Sequence, residues 1–136
     1  MHITLNPNKS GVIPYRKTKD NIEVLLITSV KKKKWVIPKG YIAFNLTPFE
    51  SAKKEAYEEA GIIGSNETFE LGDYIASKSP GDHAIKIFSL EVVEILEKYP
   101  EVEVRKRKWF PLKEAAEKIS VPEVAEMILN LEKKIK

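Results

Sequence analysis

The best-defined local element of this sequence is a helix that begins at Thr47 and ends before Gly61. Thr47, Pro48 and Glu50 occupy the N-cap, N1 and N3 positions of a capping box. In that motif the N-cap hydroxyl and the N3 carboxylate satisfy amides that the first helical turn leaves free. Glycine then takes the left-handed conformation that commonly follows a helix. The sequence therefore predicts a helix over about 47–60, and the rest of the chain must pack around it.

Three carboxylates lie on one side of this helix, since Glu55, Glu58 and Glu59 fall within roughly 100° of each other at 3.6 residues per turn. Like charges at this spacing repel, and partial burial strengthens the repulsion. Protonation, basic neighbours or a divalent cation would relieve it. Oxygen ligands without Cys or a nearby His favour Mg²⁺ over zinc. An acidic face neutralised by lysines is the competing interpretation, and Glu50 with Lys54 is predicted to be such a structural pair.

Alternating and short apolar patterns predict strands on both sides of this helix and two helices at the C-terminal end. The predicted strands are 10–17, 21–30, a short one within 31–40, 68–78, 83–96 and 103–111, with a turn at 79–82. The predicted helices are 112–119 and 122–135, the second with an apolar stripe through Val124, Ile128, Leu131 and Ile135. This order favours an α/β (α+β) fold in which helices cover a mixed sheet. Residues 1–136 show no repeat or linker, so a single domain is expected.

Composition restricts the function classes. The 136 residues are 43% hydrophobic and 32% charged, with a net charge of +3 and no cysteine. Disulfides and thiolate metal sites are therefore excluded, and so small a net charge gives no reason to expect nucleic acid as a partner. No apolar stretch approaches the ~20 residues that a membrane helix needs. The N-terminus lacks a signal-peptide pattern, so a cytoplasmic protein without a membrane partner is expected.

The stretch 38–62, PKGYIAFNLTPFESAKKEAYEEAGI, resembles the Nudix box, G-x5-E-x7-R-E-U-x-E-E-x-G-U, where U is a bulky apolar residue. The box residues that fall in register without insertion are Gly40, Glu55, Glu58, Glu59, Gly61 and Ile62, while Ala56 places a small residue in an apolar slot. The segments SGVIPYR, VLLITS, WVIPKG and RKRKWFPLKEAAE resemble the diphosphoinositol-polyphosphate and diadenosine-polyphosphate branch of Nudix hydrolases. The resemblance thus covers most of the chain.

The resemblance implies a Nudix-type α/β/α sandwich and Mg²⁺- or Mn²⁺-dependent hydrolysis of a phosphoanhydride, in a nucleoside diphosphate linked to another moiety or in a related small molecule. By position, Glu55, Glu58 and Glu59 would be metal ligands, with the Gly40 carbonyl completing the set. One of these carboxylates, or a later one such as Glu101 or Glu103, would act as general base. A diadenosine polyphosphate or a diphosphoinositol polyphosphate is the expected substrate. The box itself does not decide between them, and it does not identify the base.

Two positions depart from the box, since Leu46 replaces its first Glu and Lys54 replaces its Arg. Lysine keeps the charge but lacks the planar fork that fixes a carboxylate. Lys54 is therefore expected to serve the catalytic set while positioning Glu55 less firmly. A weakened or differently tuned enzyme is predicted. The alternative is a catalytically silent module that binds a nucleotide or another phosphorylated ligand.

Two basic clusters, 31–34 and 105–108, each run into a tryptophan and would create a positive field for a polyanion. The predicted phosphate contacts are Lys34, Lys39, Arg105 and Arg107. Because side chains alternate along a strand, at most half of 105–108 would face one site. A solvated turn and strand face is the competing interpretation. Trp35 and Trp109 are predicted core residues rather than base-stacking ones, and His83 a turn residue rather than a catalytic one.

Overall fold

A computed structural model of the chain describes residues 6–78 and 81–135. Its strands are β1 (Lys9–Lys17), β2 (Ile22–Thr28), β3 (Trp35–Val36), β4 (Lys39–Tyr41), β5 (Ile62–Gly64), β6 (Glu70–Lys78), β7 (Gly81–Ile95) and β8 (Arg107–Pro111). Its helices are α1 (Pro48–Ala60), α2 (Leu112–Lys118) and α3 (Pro122–Ile135). Among the described residues, no helix is both long and apolar enough to cross a bilayer.

The strands form a mixed sheet whose central pair is β1 and β7. These two strands run parallel, with Val12 opposite Phe88, whereas the other pairings are antiparallel. The main path is β3-β2-β1-β7-β5, and β4, β6 and β8 pair with β1, β7 and β2 respectively. Parallel strands need a long crossover connection, and the segment between β1 and β7 contains α1. This arrangement confirms the predicted mixed sheet.

Both faces of the sheet are covered, as the apolar run in β1 requires. Val12 belongs to a buried cluster with Ala52 and Ala56 of α1. Its neighbour Ile13 belongs to a cluster with Ala115 of α2 and Ile128 of α3. Successive side chains of a strand point to opposite faces, so α1 lies on one face and α2 with α3 on the other. The predicted α/β/α sandwich is confirmed.

The short strands and several boundaries differ from the sequence prediction, and the one strand expected within 31–40 is two strands, β3 and β4. β5 was not predicted, because three residues carry too little pattern. The turn predicted at 79–82 begins at two residues that lie outside the described part of the chain, and its other two residues, Gly81 and Asp82, belong to β7. The strand predicted over 103–111 begins only at Arg107, because residues 101–104 form a turn in which the amides of Val104 and Arg105 both donate to the Glu101 carbonyl. The alternation expected along 105–108 therefore does not apply to its first half.

Candidate active site

Helix α1 begins with the predicted cap. The Thr47 hydroxyl accepts from the Glu50 amide at 3.1 Å, and the Glu50 carboxylate accepts from the Thr47 amide at 2.9 Å. The predicted Glu50–Lys54 pair is wrong, because the cap holds the Glu50 carboxylate and the Lys54 ammonium instead lies 3.7 Å from Glu58. The start of the helix is therefore stabilised without a glutamate at position 46.

The loop before α1 is held against the sheet on both sides. β4 pairs with the start of β1, placing Gly40 opposite Ser10. The buried Ser10 hydroxyl donates to the Pro48 carbonyl at 2.7 Å, and the Ala43 amide donates to the Ser51 hydroxyl at 2.9 Å. These bonds bring the backbone of β4 alongside α1, where Glu55 and Glu59 lie.

Glu59 is the most buried of the three helix carboxylates, with 7% of the residue exposed. It accepts from the Lys39 amide at 3.3 Å, and its other oxygen lies 3.9 Å from the Arg105 guanidinium. Burial raises the pKa of Glu59 to about 7, against the opposing effect of Arg105. Burial, and next the charge of Glu58, raises the pKa of Glu55. Glu55 and Glu59 thus share one partly desolvated region.

The segment that follows β7 closes around the end of α1. A Cβ at Gly61, where φ is +66°, would lie 2.6 Å from Tyr99 Cγ, so the ring packs directly on the helix end. The Glu101 amide donates to the Glu58 carbonyl at 3.0 Å, and the charge of Glu101 raises the pKa of Glu55 and Glu59. Of the two later acids considered from the sequence, Glu101 lies near the helix carboxylates. Glu103 lines a different cavity, beside Trp35.

A cavity of about 550 Å³ opens beside Glu59. Its lining contains one carboxylate and six cationic side chains, which are Lys9, Lys31, Lys32, Lys34, Lys39 and Arg105. Of the four predicted phosphate contacts, three line this cavity, namely Lys34, Lys39 and Arg105. Their contact with phosphate stays a prediction. Lys9 was missed, because only the pairing of β1 with β4 places it there. Another cavity of about 550 Å³ lies between the β1–β2 turn and α3, away from these carboxylates.

Arg107 does not line the cavity beside Glu59. Its guanidinium donates to the carbonyls of Ala60 at 2.8 Å, Gly61 at 3.3 Å and Leu96 at 2.7 Å, and it lies 4.8 Å from the centre of the Tyr99 ring. The last turn of α1 has no basic residue of its own. Arg107 therefore supplies the positive charge and the hydrogen-bond donors that stabilise the carbonyl groups at the C-terminal end of a helix. This placement does not support the prediction that Arg107 contacts phosphate.

The tryptophans and His83 have structural contacts. Trp35 packs edge-on against Phe110 at 5.0 Å between ring centres. The Arg16 guanidinium covers the Trp109 ring at 4.1 Å. His83 lies in β7, where its Nδ1 is 3.3 Å from the Asn8 amide nitrogen and its ring meets that of Tyr41 edge-on. Both tryptophans are thus engaged in packing.

The donor set of α1 and β4 suits a hard cation. Carboxylate and carbonyl oxygens are the ligands of Mg²⁺ and Mn²⁺, and Gly40 has no side chain where Glu55 approaches. Within the described residues, no three acidic, histidine or cysteine side chains already form a metal-ligand group. Glu58 is directed to Lys54, and Glu59 to the Lys39 amide and Arg105. The chemistry of the residues fits the ion, while their present partners are protein groups.

Comparison with known proteins agrees with this fold. The family model for the NUDIX domain matches residues 6–131. "Nudix hydrolase 17, mitochondrial" of Arabidopsis thaliana is 38% identical over 116 residues, which cover 79% of this chain and 63% of that protein. Diphosphoinositol polyphosphate phosphohydrolase 3-alpha of Homo sapiens is 31% identical over 110 residues, which cover 79% and 65%. The chain thus spans less than two-thirds of the length of either relative.

Among solved structures, an Ap4A hydrolase of C. elegans matches with a TM-score of 0.74. The match covers 94% of this chain and 97% of that one, at 18% sequence identity. At this identity the likeness establishes a shared fold. The order of strands and helices described above is therefore that of a known structural class.

Proposed function

The chain belongs to the NUDIX family, and we propose that it is a metal-dependent hydrolase that cleaves a phosphoanhydride bond in a highly phosphorylated small molecule. The observation that carries this proposal is the cavity beside Glu59, where six cationic side chains surround one carboxylate. Such an excess of positive charge, focused in a cleft, attracts polyanions. Phosphate oxygens bound there would lie beside Glu59, the carboxylate of α1 that lines this cavity.

Glu55, Glu58 and Glu59, with the Gly40 carbonyl, are the residues that would hold the cation, Mg²⁺ or Mn²⁺. When bound, the ion supplies charge neutralisation at the phosphates and lowers the pKa of a water molecule. The lysines of the cavity bind phosphate oxygens and orient the anhydride for in-line attack. A carboxylate of the cluster takes the proton.

The lining of the cavity favours a diphosphoinositol polyphosphate over a diadenosine polyphosphate. The five lysines of the lining match a ligand with many phosphate groups. Tyr74 is the one aromatic residue among the described lining residues, and it is 7% exposed, so no open ring face is available there to stack on adenine. A human relative is named a diphosphoinositol polyphosphate phosphohydrolase. The Ap4A hydrolase of C. elegans is the reason to test both substrates.

The proposal is tested by incubating the protein with Mg²⁺ or Mn²⁺ and a panel of phosphoanhydrides. The panel contains diphosphoinositol polyphosphates, diadenosine polyphosphates, nucleotide sugars and nucleoside triphosphates, and the release of phosphate or nucleotide is measured. We expect turnover that EDTA abolishes and that is fastest with the diphosphoinositol substrates. Glu58→Gln and Glu59→Gln should each remove it, whereas Glu117→Gln, an exposed glutamate of α2, should not.

Leu46 and Lys54 make a binding module the second candidate. It would bind the same ligands through the same lysines without cleaving them. Tight binding across the panel without turnover would establish this alternative, and absence of both binding and turnover would overturn both candidates.

Residence in the cytoplasm stays a prediction, since a related Arabidopsis protein is named mitochondrial.

A further inference from the structure

We propose that Arg105 is a positioning residue that holds Glu59 and Glu101 together in the site, and that phosphate binding is left to the lysines. This inference rests on the proposed function, and it assigns Arg105 a different task from the phosphate contact that the sequence suggested. It also gives a physical reason for the tolerance of lysine at position 54.

All three nitrogens of the Arg105 guanidinium have protein partners. Nε donates to a Glu101 carboxylate oxygen at 2.8 Å, and Nη1 donates to the Thr28 carbonyl at 3.1 Å. Nη2 lies 3.9 Å from a Glu59 carboxylate oxygen. The side chain is 15% exposed and that of Glu59 9% exposed. A planar fork with donors on several edges is suited to joining two carboxylates and a carbonyl at once.

The backbone of this segment is fixed to the end of β2, so the guanidinium is aimed before any ligand arrives. The Lys106 amide donates to the Thr28 hydroxyl at 2.9 Å, and the Thr28 amide donates to the Lys106 carbonyl at 3.0 Å. The turn at 101–104, which precedes Arg105, is fixed to α1, because the Glu101 amide donates to the Glu58 carbonyl. Arg105 therefore connects the central sheet with the carboxylate face of α1.

Lys54 does not provide such a connection. Its side chain is 59% exposed and lies 3.7 Å from Glu58, which is itself 32% exposed. Because both side chains are partly exposed to solvent, this pair restrains its partners weakly. Arg105 reaches the same carboxylate cluster from a segment outside α1, and its side chain is largely buried. The Nudix box has an arginine at position 54 of the helix. Its planar guanidinium is thus supplied here by Arg105, in the segment before β8.

The test compares Arg105→Ala and Arg105→Lys with the wild type, using the substrate that the panel identifies. Misplacing a catalytic group by about 1 Å costs about 100-fold in rate, so we expect Arg105→Ala to lower kcat by about 100-fold and to change KM by less than about threefold. Lysine keeps the charge but cannot reach three acceptors, so Arg105→Lys should recover about tenfold at most. Arg16→Ala is the control, because Arg16 forms a 2.7 Å pair with Glu23 and stacks on Trp109; its kcat and KM should match the wild type.

A second readout needs no turnover. In both Arg105 variants the amides of Glu101, Val104 and Arg105 itself should exchange with solvent at least about tenfold faster, while amides in the middle of β1 keep their protection. This measurement also applies if the wild type proves inactive, which would overturn the proposed function alone. Unchanged exchange at these amides would overturn the positioning role. So would a KM at least about tenfold higher with kcat unchanged, which indicates a phosphate contact, or a loss of thermal stability with both constants unchanged.

Discussion

The Gly40 backbone lies so close to Glu55 that a Cβ on Gly40 would stand 2.5 Å from both oxygens of the Glu55 carboxylate. One of these residues belongs to a strand and the other to a helix, and the loop between them brings the Gly40 backbone and the Glu55 carboxylate to one place. A hydrogen instead of a side chain at Gly40 is thus what allows the Glu55 carboxylate to lie against β4.

Gly40→Ala is expected to abolish at least about 99% of the turnover while the protein stays folded. The added methyl group must displace the Glu55 carboxylate, and a displacement of about 1 Å costs about 100-fold in rate. No positive φ is involved at Gly40, so backbone strain should be small. Gly81→Ala is the matched control, since its Cβ would meet nothing within 4 Å. Steady-state kinetics and circular dichroism on both variants check this, and a Gly40→Ala enzyme within threefold of the wild type would contradict it.

Glu59 should make the metal-free protein less stable as the pH rises. Its pKa is raised in the folded state from 4.5 to about 7, so the folded state favours the protonated form. The stabilising contribution is complete below the ordinary pKa and is lost as the pH rises from 4.5 to 7. Glutamine does not ionise, so Glu59→Gln removes this loss. The unfolding free energy of the variant minus that of the wild type should therefore increase by up to about 3 kcal/mol between pH 4.5 and 8.

Urea denaturation in EDTA across this pH range measures the difference. Glu117→Gln, on the exposed side of α2, should follow the wild-type curve. Parallel pH curves for Glu59→Gln and the wild type would mean that Glu59 ionises in the folded protein without cost.

Lys54→Arg is expected to raise kcat by no more than about threefold. The Lys54–Glu58 pair is exposed and 3.7 Å long, and pairs of this kind contribute about 0.3–0.5 kcal/mol. Lys53→Arg serves as the control on the same helix, since Lys53 pairs with Asn66 instead. An increase of tenfold or more, measured at saturating substrate, would show that the box arginine is still needed at position 54 and would argue against the role given to Arg105.

Arg107→Lys should lower the free energy of unfolding by about 2 kcal/mol and leave KM within twofold of the wild type. Its guanidinium donates to three backbone carbonyls around the end of α1, and charge-assisted bonds of this kind contribute about 1.5–3 kcal/mol each. Lysine cannot reach all three acceptors. Chemical denaturation and substrate titration test this together. A large increase in KM with stability unchanged would instead place Arg107 among the phosphate contacts.

Local patterns in the sequence predicted the elements that depend on neighbours along the chain. The cap at Thr47, the stop at Gly61 and the alternation in β6 and β7 are of this kind, since each depends on residues a few positions apart. The prediction failed at 103–106, where alternation suggested a strand. There the partner strand β2 ends at Thr28. One backbone bond and one side-chain bond join Thr28 to Lys106, and the residues before them, 101–104, form a turn.

Within the site, the sequence by itself determined which carboxylates share one face of α1, because helix geometry relates residues only three or four positions apart. It also identified Lys34, Lys39 and Arg105, which line the cavity beside Glu59. Only the tertiary structure decided that Lys9 joins them, that Arg107 supports the helix end and that Arg105 faces Glu59 and Glu101. These contacts join residues far apart in the chain, and strand pairing and packing establish them, which no local pattern encodes.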